Sequence, residues 1–185
     1  NNDELQDIIV VDMLPPGHER QKMMTGGQNY DVFHMSESMG YQAQYMRNTL
    51  QLNRGKFDDK MLYSEIAFLG GVSSTDWSWA PLFADFDNDG WKDLFIANGY
   101  RKDVTNLDFI FDLKNVSPFG TNAARREKFN KELDKLEEVR LTNYFYKNDG
   151  KLTFSDKTSA WCEDAPSFSN GAAYVDLDND GDLDL

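Results

Sequence analysis

Ala84-Asp85-Phe86-Asp87-Asn88-Asp89-Gly90-Trp91-Lys92-Asp93-Leu94 returns 91 positions later as Val175-Asp176-Leu177-Asp178-Asn179-Asp180-Gly181-Asp182-Leu183-Asp184-Leu185. At the same offset, Trp77-Ser78 falls over Phe168-Ser169 and Leu82-Phe83 over Ala173-Tyr174. A degenerate third copy opens the chain. Asn1-Asn2-Asp3-Glu4-Leu5-Gln6-Asp7-Ile8 aligns with Asp87 to Leu94 at an offset of 86. Further on, Leu52-Asn53-Arg54-Gly55-Lys56-Phe57 resembles Lys147-Asn148-Asp149-Gly150-Lys151-Leu152-Thr153-Phe154. Self-similarity of this kind is the signature of a repeat architecture. Because the chain opens inside one loop and closes just after another, it reads as an excerpt of a longer repeat protein.

The segments beside the loops read as β-strands. Ile8-Ile9-Val10-Val11, Leu94-Phe95-Ile96-Ala97 and Asn143-Tyr144-Phe145-Tyr146 are short apolar runs with turn residues beyond them. Asn148-Asp149-Gly150 marks a hairpin turn between Tyr146 and Leu152. The runs are apolar on both parities, which predicts sheets buried on both faces. Short strands with regular turn signals suggest a propeller or a sandwich, and stacked propeller blades meet the two-face condition. The expected fold class is therefore all-β: a β-propeller fragment with helical insertions.

Two inserts interrupt the repeats, at about 14–46 and about 101–141. The first begins with the turn signal Leu14-Pro15-Pro16-Gly17 and is rich in Met and Gln. In the second, Ala123 to Arg140 reads as a helix. Phe129, Leu133, Leu136 and either Val139 or Arg140 form its apolar stripe, and Asn122 is the candidate N-cap. A helix packed on the rim by that stripe is the plain reading; a partner-binding helix is the sharper one.

The loops carry the chemistry. Asp85, Asp87, Asp89 and Asp93 stand at loop positions 1, 3, 5 and 9, with Gly90 at position 6. Alternate residues of a tightly curled loop point inward together, and a hard cation such as Ca²⁺ needs about six to eight oxygen ligands. Glycine at position 6 lets the backbone turn where a Cβ would clash. Position 7 offers its carbonyl, which adds Trp91. The second set is Asp176, Asp178, Asp180, Asp182 (through its carbonyl) and Asp184. The degenerate set is Asn1, Asp3, Leu5 (through its carbonyl) and Asp7, with Glu4 in place of glycine.

An EF-hand is excluded, because position 12 would be a bidentate Glu and is Ile96. Mg²⁺ usually keeps several waters, and Zn²⁺ prefers Cys and His. The metal expected is Ca²⁺, in a structural role: four crowded carboxylates repel until an ion pins the turn. Three filled sites would move the formal charge from −13 to −7.

Composition limits the alternatives. Asp+Glu number 32 against 19 Lys+Arg, which argues against a nucleic-acid partner. Aromatic content of 14% is enough to build a core. The single cysteine, Cys162, rules out an internal disulfide and reads as a small half-buried residue. No apolar run is long enough to span a membrane, and no signal peptide is visible.

At these loops the sequence resembles the FG-GAP/VCBS repeat family, whose calcium loops also occur in integrin α-subunit propellers. Asp12-Met13-Leu14-Pro15, Gln44-Tyr45-Met46-Arg47-Asn48, Thr75-Asp76-Trp77-Ser78-Trp79 and Pro166-Ser167-Phe168-Ser169-Asn170-Gly171 extend the resemblance to large bacterial surface proteins that carry such repeats, often followed by an ASPIC/UnbV domain. The resemblance covers almost the whole chain. It implies a ring of about seven blades, of which residues 1–185 hold about two. It also implies an extracellular, cell-surface location, associated with the outer membrane and often lipid-anchored. The rest of the ring is then needed to cover the blade faces. The degenerate N-terminal loop departs from the pattern.

Two function classes follow. The first is a non-enzymatic interaction module that presents loops and inserts to a protein partner at the outer membrane or to a surface glycan. An accessory subunit of an outer-membrane assembly is one form of it. The second is a calcium-dependent polysaccharide-active enzyme of the lyase type, which needs a base beside the cation. His18 and His34 are the only histidines, both in the first insert, and each reads as an ordinary surface or packed residue. Lys92 is the basic residue near a loop. Trp77, Trp79 and Trp91 could form a sugar platform, but Trp77 and Trp79 precede a strand, and at least one reads as core. No catalytic set is visible, and the interaction module is the favoured reading.

Overall fold

The computed structural model describes residues 1–24, 30–114, 121–162 and 165–185; parts of both inserts therefore lie outside the described residues. Strands β1 (Ile8–Val10), β2 (Thr49–Phe57) and β3 (Lys60–Glu65) form one sheet in that order. Strands β4 (Ser78–Ala84), β5 (Asp93–Asn98), β6 (Tyr144–Asn148) and β7 (Phe154–Asp156) form a second. Every pairing is antiparallel between sequence neighbours, so both sheets are meanders. The described residues form two open sheets, not a closed ring.

The core lies between the sheets. Leu50 of β2, Leu94 and Ile96 of β5 and Tyr146 of β6 are buried there with Ala67 and Val72. Ile9, Phe83 and Phe154 close over them. Alternation sends Phe95 to the far side of β5, against Phe145 at 4.8 Å between ring centroids. Every residue of β5 is buried, as the unbroken apolar run predicts. The edge strand β1 is not: Ile8 and Val10 are 45% and 56% exposed on the outer face of the first sheet.

Both sheets close with the same local device. Ile66 N–H donates to the Leu50 carbonyl and Lys157 N–H to the Phe145 carbonyl, each at 2.8 Å. Each then leads into a one-turn helix, α3 (Ala67–Gly70) or α6 (Thr158–Trp161). A carboxylate caps each entry: Glu65 accepts from Ala67 N–H at 2.7 Å, and Asp156 from Thr158 N–H at 2.9 Å.

The first insert carries α1 (His18–Met23) and α2 (Tyr30–Ser38); the second carries α4 (Leu107–Lys114) and α5 (Asn122–Lys135). Two sequence expectations need correction. Helix α5 ends at Lys135, well short of Arg140, because the chain turns back: Val139 N–H donates to the Arg101 carbonyl. Its N-cap is Thr121, whose hydroxyl accepts from Ala124 N–H, and not Asn122. Asn53-Arg54-Gly55 resembles Asn148-Asp149-Gly150 in sequence but does not form the hairpin turn of its own sheet. Strand β2 continues through it as a bulge, and the turn comes at Asp58 and Asp59, both at positive φ. The stripe of α5 is only half-covered; Phe129 meets Phe109 of α4 edge-on at 6.2 Å.

The acidic loops precede β1 and β5 and the inserts follow them, so loops and inserts sit at opposite ends of the strands. At the insert end, Arg20 of α1 reaches both Asp76 (2.7 Å) and Asp103 (3.2 Å), and Met24 bridges Asn106. The two inserts are therefore tied together. Asp103 also holds the Tyr100 hydroxyl, and burial, with this bond, pushes the Tyr100 phenol well above its usual range.

Two tests follow from the packing. A Cβ on Gly99 would lie 2.3 Å from the Ser169 backbone nitrogen, where the chain crosses β5. Gly99→Ala should cost roughly 2 kcal/mol in urea unfolding. Burial alone would raise the Glu65 carboxyl, but its bonds to Arg47, Ala67 N–H and Leu50 N–H outweigh that and hold it below its usual 4.5. A lowered carboxyl stabilises above its unfolded value and loses that contribution as pH falls through the folded one. Glu65→Gln should therefore lose about 1 kcal/mol at pH 7, reduced by its exposure to solvent, and show a weaker loss of stability below pH 4.5 than the wild type.

Candidate metal centre

The loops at 85–93 and 176–184 fold with the same bonds. Position 1 caps two amides: Asp85 accepts from Asp89 and Gly90 N–H (3.1 and 2.9 Å), and Asp176 from Asp180 and Gly181 N–H (3.2 and 3.1 Å). Position 5 caps position 7: Asp89 accepts from Trp91 N–H and Asp180 from Asp182 N–H, both at 2.9 Å. Position 9 reaches back to position 2: Asp93 accepts from Phe86 N–H (3.1 Å) and Asp184 from Leu177 N–H (2.9 Å). The carboxylates at positions 1, 5 and 9 of each loop are oriented by the backbone of their own loop, the Asx-turn chemistry expected of such a sequence.

This geometry corrects the reason given for glycine. A Cβ at Gly90 or Gly181 would meet nothing within 4 Å. What calls for glycine is φ, +89° and +97° respectively. Asn88 and Asn179 at position 4 are also left-handed, a conformation asparagine tolerates. In the degenerate loop Glu4 takes the glycine position at φ +66°.

Oxygen atoms of Asp85, Asp87 and Asp89 lie within 4.8 Å of one another, as do those of Asp176, Asp178 and Asp184. Asp93 does not join the first group. Its second oxygen is held by Asn148 N–H of β6 at 2.8 Å, and the residue is fully buried. Burial raises its carboxyl against the pull of these two amides, and Asp87 and Asp89 raise it further by repulsion. Asp180 and Asp182 stand outside the second group. The degenerate loop brings together no group of three acids among the described residues. It keeps two of the loop's bonds: Asp3 accepts from Leu5 N–H at 3.0 Å, and Asp7 accepts from Asn53 N–H of β2 at 2.8 Å.

Asp7 with Asn53 and Asp93 with Asn148 are one construction used twice. The Asn side chain donates to the carbonyl of the residue before the Asp, Gln6 (3.1 Å) or Lys92 (3.0 Å). Its oxygen accepts from the glycine two residues on, Gly55 or Gly150, at 2.9 Å. Successive loops also touch: Asn2 donates to the Gly90 carbonyl at 2.8 Å, and Asn88 to Asp182 at 2.5 Å.

Sequence reasoning missed Lys147. From β6 its ammonium contacts Asp87 and lies 2.7 Å from Asp89. These contacts hold the Asp89 carboxyl below its usual range and raise Lys147 above its own. The only available signal was its place beside Asn148. Trp91 lies across the hairpin, where a Cβ on Gly150 would come within 3.3 Å of its ring. Trp77 stacks on Tyr100 at 4.1 Å and is half-buried, whereas Trp79 is 52% exposed. His34 pairs with Glu37 and meets Tyr30 edge-on, both in its own helix.

No family model, no curated protein and no solved structure matches the chain.

Asn148 is 8% exposed and makes three of these bonds. Asn148→Ala should cost about 1–3 kcal/mol, measured by chemical unfolding in calcium-free buffer, because it leaves partners unsatisfied.

Proposed function

We propose that the chain is a calcium-binding segment of a β-propeller that serves as an interaction module at a bacterial cell surface. One observation carries the reading: two loops 91 positions apart use the same amide bonds to bring three carboxylates together each. The donors are all oxygen, with neither Cys nor His among them, which suits a hard cation. Asp85, Asp87, Asp89 and the Trp91 carbonyl would hold one ion; Asp176, Asp178, Asp184 and the Asp182 carbonyl would hold the other. Bound calcium would supply charge neutralisation and a cross-link within the turn.

The two sheets support the propeller part of the reading. Two consecutive antiparallel meanders stack face to face, as neighbouring blades do. The first sheet exposes apolar Ile8 and Val10 on its outer face, and beyond the second sheet the segment at 175–177 exposes Val175 and Leu177. Further blades would cover these faces.

The interaction role rests on the inserts. Tyr30, Val32 and Met35 of α2 are each more than half exposed, an apolar group available to a protein partner. A glycan on the aromatic residues is the alternative ligand. An outer-membrane setting would place the loops in calcium-rich surroundings, where weak extracellular sites still fill. Among the described residues no helix is long and apolar enough to cross a membrane.

Thermal unfolding in CaCl₂ and in EGTA tests the metal. At about a hundred times Kd one site adds roughly 2.7 kcal/mol, which raises Tm by a few degrees. Asp87→Asn with Asp178→Asn should abolish the rise, and equal melting in both buffers would remove calcium from the reading. Affinity purification of the protein in calcium and in EGTA tests the partner. A stoichiometric companion retained only in calcium is the expected result.

A further inference from the structure

Lys147 occupies an unusual place. Strand β6 delivers its ammonium to Asp87 and Asp89, two members of the carboxylate group at 85–93. It is not there by default of the fold. The equivalent position in the first sheet precedes Asn53, which makes the same bonds as Asn148. That position holds Leu52, buried and uncharged. The loop beside Leu52 differs in the matching way: Asn1 replaces the acidic residue found at Asp87. The cation and the position-3 carboxylate are thus present together in one unit and absent together in the other.

We propose that Lys147 is a tethered counter-ion of the loop 85–93, which a divalent cation must displace in order to bind. The inference rests on the calcium reading above. Four carboxylates in nine residues repel one another, and an ammonium held between two of them lowers that repulsion without closing a coordination shell. An entering divalent ion supplies more charge to the same oxygens, and Lys147 swings outward on its flexible stem. The lysine therefore keeps the metal-free loop in shape and at the same time weakens its affinity. This makes the loop an exchangeable site.

The test uses the full chain with Asp178→Asn and Asp180→Asn, which disable the loop at 176–184. Calcium alone is titrated by calorimetry and by thermal unfolding, with and without Lys147→Met. The charge-free variant should bind calcium roughly tenfold more tightly, an effect moderated by solvent and shrinking in added salt. Its metal-free form should melt lower, so its calcium-induced rise in Tm should be larger. Lys147→Arg, which keeps the charge, should behave as the parent. Lys147→Gln keeps a donor without the charge and gives the same reading should the Met variant fail to fold. Calcium uptake with unchanged or weaker affinity in the charge-free variants overturns the counter-ion role alone. No calcium uptake by the unmodified chain overturns the calcium reading, and the counter-ion role with it.

Discussion

A carboxylate held by a buried asparagine is the constraint on which each sheet depends. Asp93 and Asn148 are almost out of reach of solvent, and an unpaired carboxylate there would be costly. Its two oxygens are therefore committed to two amides, one within the loop and one on β6. The asparagine in turn fastens the Lys92 carbonyl and the amide of Gly150. Loop, third strand and hairpin become one unit, and the remaining aspartates of the loop are left for whatever binds them. The same knot at Asp7 and Asn53 persists although its loop has lost glycine and one acid. The knot is thus a feature of the sheet first and of the loop second.

Packing adds the second level. Leu94 and Ile96 face the first sheet and Phe95 faces away, so β5 cannot shift register by one residue without exchanging its two apolar faces. A strand buried on both sides needs layers on both sides. One layer is the first sheet; on the other, Phe86, Phe145, Trp161 and Tyr174 begin a cover that leaves Val175 and Leu177 in solvent.

Much of this was legible in the sequence, and the limits have physical causes. The strands at Ile8, Leu94 and Tyr144 announce themselves because they are apolar on both parities. The loops are legible because carboxylate spacing and left-handed positions restrict the residues that serve. Strand β2 was hidden: Asn53-Arg54-Gly55 carries turn chemistry, yet pairing with β3 carries the chain through it as a bulge. Strand β4 was expected just after the tryptophans but begins at Ser78, so Trp79 lies within it rather than before it. The end of α5 was misplaced because Arg101 and Lys102 capture the following residues, a long-range tie that periodicity cannot contain. Lys147 and the pairing of Arg20 with Asp76 and Asp103 were invisible for the same reason, since each joins residues dozens of positions apart.

The separation of acidic loops and helical inserts to opposite ends of the strands has an evolutionary consequence. Mutations that lengthen, shorten or re-sequence an insert fall far from the knot that sets the sheet, so they are tolerated more readily than changes near the loops. One end of the molecule is constrained by its buried bonds and the other is less so. The tie between Arg20 and Asp103 sets the limit of that freedom, because a change in one insert that removes it must be matched in the other. For an engineer, the insert end is the place to graft a new recognition surface, provided both segments are exchanged together.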